Sequence, residues 1–433
     1  MLRRKQDIEL KDKKLLSNIL SLSVLQVLNM FLPLITFPYL TRVLGVHNFG
    51  IILFSAALMT YFQILTEYSF NLTATRDISA SNGDNKKIND IFNEVFCTKI
   101  VLTIISLLML TVIIAVVPIF RENSLIYFLS FGIIIGQTMF PVWLYQGLQR
   151  MKIITYINVI SKVFFTILIF CFVHLKDDLW MVPLFTSLGF IASGIMSLIY
   201  LKRNFEIQFK RVKLEQIKKQ IHIGKYIFLS ELKISLFTNT NVILLGFFAG
   251  NSAVTYFSGA EKIVRALASL QTPIANAMFP FLTQEFKVNK WIAWKKVLKI
   301  VKFGSIILVL GAILLIVLSE KIIVTVYGEN MEDSYIVLQV LSIIPLASFI
   351  DNMFGKQVLI NVGKDNLYFR VMLIAALSNI LLNIIFIPYL SYIGTAISLV
   401  ITQIIIDIGM IKYSIKEIKK YQYIDIQNSH DFS

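Results

Sequence analysis

The Lys and Arg residues of this chain are not scattered. They collect in every second gap between a dozen long apolar runs, the first spanning 15–41 and the last 391–413. With Met1 placed in the cytoplasm, 32 of the 41 basic residues fall in cytoplasmic segments and only 4, Arg42, Arg121, Lys176 and Lys321, in external ones. Moving the register by one run would invert that ratio, so the positive-inside bias sets orientation as well as span count and puts both termini in the cytoplasm. The second gap contributes Arg76, Lys86, Lys87 and Lys99 to the inner set.

Each run approaches or exceeds the ~20 residues that a helix needs to cross ~30 Å of hydrocarbon, and most are too long for barrel strands. Lipid offers the backbone no partners, so the runs must be helical. The expected class is an all-α polytopic membrane protein of about 12 transmembrane helices in two six-helix lobes, sited in the cytoplasmic (inner) membrane. A composition of 56% hydrophobic and 15% charged residues excludes a water-soluble globule of this length. The net charge of +15 is then the inner-surface bias beside anionic lipid, and no nucleic-acid partner is expected. The apolar stretch from Leu15 to Leu40 is too long for a signal peptide and reads as a retained first helix.

The longest basic interruption, Lys202 to Lys225, interleaves Phe205, Phe209, Val212, Leu214 and Ile217 with Lys and Arg. It suits a helix lying at the inner membrane surface, or an ordinary loop, between an N-terminal lobe with tail and linker (1–210) and a C-terminal lobe with tail (211–433). Setting 48–57 against 251–260 matches Asn, Phe, Ser and the final Ala, at the half-chain offset that a six-plus-six duplication requires.

Charge that survives inside lipid marks where chemistry should be sought, because each such group costs at least ~2.5–3.5 kcal/mol to insert. In the eighth run, 253–280, Ser258, Glu261, Lys262, Arg265, Ser269, Thr272 and Asn276 share one helical face. Glu261 to Arg265 lie about 12–18 Å below the run's outer end, near the midplane. Glu261 and Arg265, at i,i+4, can also simply neutralise each other. In the second run Thr60, Gln63, Glu67 and Asn71 form a polar face. Lys162, Glu231, Lys233, Asp351, Lys356 and Asp407 are the other charges within runs, and Lys233 and Asp407 sit near run ends where snorkelling competes with a cavity role.

Catalytic constellations are missing. There is no phosphate-binding Gly-Lys-Ser/Thr loop, and His47, His174, His222 and His430 lack metal-ligand spacing. No cofactor, metal or enzyme activity is expected. Cys97 and Cys171 occupy separate runs and read as unpaired, while Gly132 and Gly136 form a small-xxx-small helix-packing pair.

The segments Phe37-Pro38-Tyr39-Leu40-Thr41-Arg42-Val43-Leu44-Gly45 and Glu67-Tyr68-Ser69-Phe70-Asn71-Leu72-Thr73-Ala74-Thr75-Arg76-Asp77-Ile78-Ser79, with two six-helix lobes, resemble the Wzx O-antigen flippases of the multidrug/oligosaccharidyl-lipid/polysaccharide exporter superfamily. The resemblance implies a MATE-like fold and movement of an undecaprenyl-pyrophosphate-linked oligosaccharide to the outer leaflet by alternating access. It also implies membrane lipid, a polysaccharide polymerase and a chain-length regulator as partners, and a cavity with cationic side chains. Lys262 and Arg265 meet that expectation best, with Glu261, Lys233, Lys162, Glu67 and Asn71 as further candidates; Arg42 and Arg76 lie in the resembling segments but near span ends. The alternatives are an ion-coupled exporter of drugs or organic cations, for which Glu67, Glu261 and Asp351 would be the carboxylates, and a peptidoglycan-precursor flippase. A membrane glycosyltransferase or polymerase would need larger external loops or acidic catalytic motifs.

Overall fold

Nine helical stretches among the described residues are long and apolar enough to cross a membrane, and three of them, of 49 to 57 residues, are about twice the length that one crossing needs. Each of those three folds back at a residue with positive φ: Gly45 (φ +79°), Gly250 (φ +82°) and Ser391 (φ +49°). The chain reverses there. Phe37 and Phe49 would lie about 18 Å apart along a straight helix, yet their ring centroids are 4.7 Å apart. A Cβ added to Gly394 would come within 2.6 Å of the Phe386 carbonyl oxygen across Ser391. Counting each folded stretch as two crossings gives the expected twelve, in an all-helical polytopic membrane protein.

The structure is a computed structural model that describes residues 2–81, 83–205 and 207–430, with side chains for 25–81, 83–205, 207–232, 235 and 240–421. The chain forms two compact units, Met1–Ser235 and Leu236–Ser433. The first contains α1 (Leu2–Glu67), α2 (Phe70–Ala80), α3 (Asn85–Val116), α4 (Pro118–Arg121), α5 (Ser124–Met139), α6 (Val142–Gly147), α7 (Met151–Phe172), a 3-10 turn (Lys176–Trp180), α8 (Met181–Asn204) and the start of α9 (Leu214–Ser269). The second contains the rest of α9, α10 (Thr272–Val288), α11 (Lys290–Tyr327), a 3-10 turn (Glu329–Met331), α12 (Ser334–Leu341), α13 (Ile344–Asp351), a π-helical stretch (Asn352–Ile360) and α14 (Asp365–His430).

In the first unit, aromatic side chains fill one end, with Phe70, Phe92, Trp143 and Tyr145 all fully buried. Further along, α5 and α8 pack at backbone contact. A Cβ on Gly132 would meet the Ser187 Cβ at 2.6 Å, and one on Gly136 would overlap the Phe190 backbone. Gly132 and Gly136 are therefore the small-residue packing pair that their spacing predicts.

In the second unit, Leu282, Phe286, Val297, Val358 and Met410 form the core. A ladder of buried amides and hydroxyls joins α9 to α14, with Asn383 donating to Asn241 Oδ1 at 2.9 Å and Asn379 to Thr402 Oγ1 at 3.2 Å. None of the most apolar window of α11 is buried, and Ile307, Leu310 and Val317 are more than half exposed. In water that surface would be an aggregation site; facing hydrocarbon, it is a solvated one.

The repeat expectation can be compared with burial. At the offset of 203, Gly50, Ile51, Phe54 and Ser55 are buried, as are their partners Ala253, Val254, Phe257 and Ser258. The two reversing glycines, Gly45 and Gly250, fall two residues out of that register.

One sequence expectation needs correction, at the eighth crossing, and one pair of alternatives, at 202–225, is resolved into part loop and part helix. The 202–225 segment is not one surface helix: α8 ends at Asn204, 207–213 is non-helical, and helix resumes at Leu214 as the opening turns of α9. Side chains of α3 hold the non-helical stretch by its backbone. Asn89 Oδ1 accepts the Gln208 N–H at 3.1 Å, Asn93 Oδ1 accepts that of Lys210 at 2.7 Å, and Asn93 Nδ2 donates to the Gln208 carbonyl at 2.8 Å. These bonds satisfy backbone groups that a helix would have satisfied internally. The eighth crossing is also interrupted, at Leu270–Gln271, so Thr272 and Asn276 sit on α10 and do not continue the face of Glu261. Pro273 near the start of α10 has no N–H to continue the α9 ladder.

Candidate functional site

A cavity of about 530 Å³ lies within the first unit. Its one cation among the described residues is Lys162, near the middle of α7, whose Nζ donates to Asn29 Oδ1 at 2.7 Å and stands 5.2 Å from the centroid of the Phe190 ring. Asn29 comes from the first limb of α1 and Phe190 from α8, so three helices converge on one ammonium group. Cation–π contact and a single amide leave an ammonium with donors to spare.

Across the cavity, Gln63 and Glu67 end the second limb of α1. Tyr68 then takes a left-handed conformation (φ +52°) that stops the helix, and α2 sets out in a new direction with Asn71 still on the cavity wall. The polar face expected across Thr60, Gln63, Glu67 and Asn71 is therefore split at Tyr68. Gln63, Glu67 and Asn71 reach the cavity nonetheless. The Tyr68 ring stacks on Phe228 at 4.5 Å and its hydroxyl donates to the Ile221 carbonyl at 3.1 Å. Those contacts anchor α9, which adds Glu231 to the wall.

Glu67 is not a lone carboxylate. Lys99 Nζ donates to Glu67 Oε1 at 2.8 Å and to the Gln137 carbonyl oxygen at 3.3 Å, and the Lys99 side chain is only 1% exposed. Lys99 does not belong to the cytoplasmic gap in which its charge places it. It lies well inside α3, buried on all sides, and neutralises the acid that faces the cavity. The signal in the sequence is the place of Lys99 inside an apolar stretch, between Val95-Phe96 and Ile100-Val101-Leu102. Asn29, Gln137 and Asn158, also on the wall, are uncharged and left no comparable mark in the sequence.

The remaining candidates are dispersed. In the second unit, Arg265 Nε and Nη2 donate to Glu261 Oε1 at 2.8 and 2.7 Å, and the arginine side chain is 56% exposed. The neutralising i,i+4 pair is thus formed. Lys262 is half-buried one residue away. Arg76 is exposed on α2 and pairs with Asp77 at 2.8 Å, while Arg42 is exposed three residues before the Gly45 reversal. Neither lines the cavity. The Lys233 side chain lies outside the described residues. Among those residues no three His, Cys, Asp or Glu converge as metal ligands, and Cys97 and Cys171 are both free thiols.

The sequence profile of the family described as polysaccharide biosynthesis protein matches residues 15–286. The chain belongs to that family. Within the polysaccharide biosynthesis proteins it is 32% identical over 403 residues to a protein of Escherichia coli (strain K12) described as a candidate O-antigen transporter, covering 92% of this chain and 95% of that one. A Shigella dysenteriae protein of the same description is 29% identical, with 91% and 98% covered. The fold is shared with a multidrug resistance MATE family transporter solved in an inward-facing conformation, with a TM-score of 0.69, 14% identity, and 90% of this chain and 96% of that chain covered. It is shared equally with the lipid II flippase MurJ, with a TM-score of 0.68, 15% identity, and 93% and 90% covered. A MATE-like architecture is thereby established for this family member.

Proposed function

We propose that this protein moves a lipid-linked oligosaccharide, the repeat unit of O-antigen or a related polysaccharide on undecaprenyl pyrophosphate, from the cytoplasmic to the outer leaflet. The observation that carries the reading is the chemistry of the first unit's cavity. Amide groups of Asn29, Gln63, Asn71, Gln137 and Asn158 share its wall with Lys162. Such groups both donate and accept, as sugar hydroxyls require, and an ammonium suits phosphate. A strongly hydrated, anionic head cannot cross hydrocarbon unaided, whereas its polyprenyl tail can stay in it.

The named roles of the E. coli and Shigella relatives support the same reading, as does the lipid-flipping title of MurJ. An exporter of organic cations has two of its three expected carboxylates, Glu67 and Glu261, held in ion pairs. In this reading no covalent step and no cofactor are involved, the two lobes 1–210 and 211–433 alternate access, and both termini face the cytoplasm. Lys162, Glu67 and Asn71 contact the substrate in the first unit's cavity, Lys262, Arg265, Glu261 and Lys233 are further substrate contacts, and polymerase and chain-length regulator take over the product.

Expression in cells lacking their own O-antigen flippase tests the proposal: surface polysaccharide should return. Topology reporters at Gly83, His222 and Asn289 should read cytoplasmic, and those at Asn123, Asn251 and Asn330 external. Restored drug efflux without restored polysaccharide would sink the reading.

A further inference from the structure

We propose that the second unit contains a groove for a lipid diphosphate, with the anionic end at Lys299 and Lys356 and the hydrocarbon chain laid along α10 and α11. The occupant is taken to be the lipid portion of the transported substrate, so the assignment rests on the flippase reading. The groove is a cavity of about 660 Å³ bounded by the end of α9, by α10 and α11, and by α13 with the π-helical stretch.

Its long wall is one face of α11. Lys299, Ile300, Phe303, Gly304, Ile307 and Leu308 follow the i, i+1, i+4, i+5, i+8, i+9 pattern of a single stripe, about 13 Å long at 1.5 Å per residue. Opposite stand Ile274, Ala275 and Met278 of α10, and Phe349 of α13, whose ring closes over Gly304 so tightly that a Cβ there would collide with it. Beyond Lys299 the α11 wall is entirely apolar.

Charge is confined to one end. Lys299 follows the turn at Asn289 and Lys356 precedes the turn at Asn361; two crossings separate those turns, so they share a side of the bilayer. Both lysines are exposed, and neither is hydrogen-bonded or in a salt bridge among the described residues. The single carboxylate of the wall, Asp351, accepts from Gln403 Nε2 at 2.9 Å and at most balances one of the two cations. A soluble anion would leave the apolar stripe empty. A neutral chain would leave the net positive end unmatched, whereas an anionic head on a hydrocarbon chain answers both the lysines and the stripe; the flippase reading supplies the diphosphate as that head.

A diazirine-bearing farnesyl diphosphate, photocrosslinked to the purified full chain in nanodiscs of zwitterionic phospholipid, tests the assignment by peptide mapping. Label should fall between 274 and 308 and drop about tenfold or more in Lys299→Gln/Lys356→Gln, the loss expected for charge-assisted contacts. Lys299→Arg/Lys356→Arg should retain it, and Ile307→Trp, which fills the apolar end, should abolish it. Labelling elsewhere, unchanged labelling in the Gln/Gln variant, or equal competition by phosphatidylglycerol would overturn the groove. Polysaccharide export by the wild-type chain reads the flippase proposal separately: restored export with no groove label defeats the groove alone, and groove label without export defeats only the identity of its occupant as transported substrate.

Discussion

Lys99 Nζ lies 2.8 Å from Glu67 Oε1, joining α3 to the end of α1 at a point where the lysine has no access to solvent. Separated by 32 residues, the two charges are introduced by different crossings and stabilised only once those crossings pack together. Removing one partner leaves the other buried and uncompensated.

Glu67→Gln should therefore destabilise the protein by about 3–5 kcal/mol, the range for breaking a buried pair, and Lys99→Met by less because Glu67 is partly exposed to the cavity. Glu67→Gln/Lys99→Met should recover most of the loss. Thermal melts of the detergent-purified variants would show it. A double variant as unstable as the worse single one would mean that the pair is not the interaction at stake.

Lys162→Ala should lower export by about one to two orders of magnitude, as expected from losing ~1.5–3 kcal/mol of charge-assisted contact, with normal membrane levels. Lys162→Arg should retain part of the activity and Asn29→Ala should lower it more mildly, since Asn29 orients the ammonium. Export rates measured at matched protein levels decide the matter; wild-type rates for Lys162→Ala would remove this lysine from the substrate path.

At Glu261 and Arg265, separate substitutions distinguish structure from function. The two charges neutralise each other within one helix, so removing both together in Glu261→Gln/Arg265→Gln leaves no uncompensated charge and the variant should fold normally. If Arg265 holds the anionic head, that neutral pair should still export about tenfold or more slowly. Full export would show that Arg265 serves Glu261 alone.

Packing between α5 and α8 gives a test independent of transport. Gly136→Ala should cost more than Gly132→Ala, within about 1–3 kcal/mol for overpacking, because a Cβ at Gly136 overlaps several backbone atoms of Phe190 and Ile191 whereas one at Gly132 overlaps only the Ser187 Cβ and hydroxyl. Relative melting temperatures would reveal the order.

Much of this architecture was legible in hydropathy alone, since apolar runs of bilayer length admit only helices. The Gly132–Gly136 packing and the Glu261–Arg265 pair were legible too, because both are set by spacing on one helix. What escaped was tertiary. Lys99 looked like one more inner-surface cation, since summed charge records where a side chain is tolerated and not which distant acid meets it. Asn29 and Asn158 escaped because an amide in an apolar run costs too little to stand out. The breaks at Tyr68 and at Leu270–Gln271 escaped because within a continuous apolar run helix direction is decided by what the flanking side chains pack against.

The backbone stretch held by Asn89 and Asn93 bears on the order in which the molecule can be made. Those amides emerge from the ribosome some 115 to 119 residues before Gln208, the group they clasp. Until then α3 through α8 must be threaded into the bilayer with that surface still wetted, and domains fold as units during synthesis. Glu94 waits longer still, for Gln216 and Gln220 at the start of α9. The N-terminal unit is thus sealed from the far end, by the first turns of the helix that also begins the other unit, and a nascent chain ending at α8 is a set of inserted helices whose last fastening has yet to be synthesised.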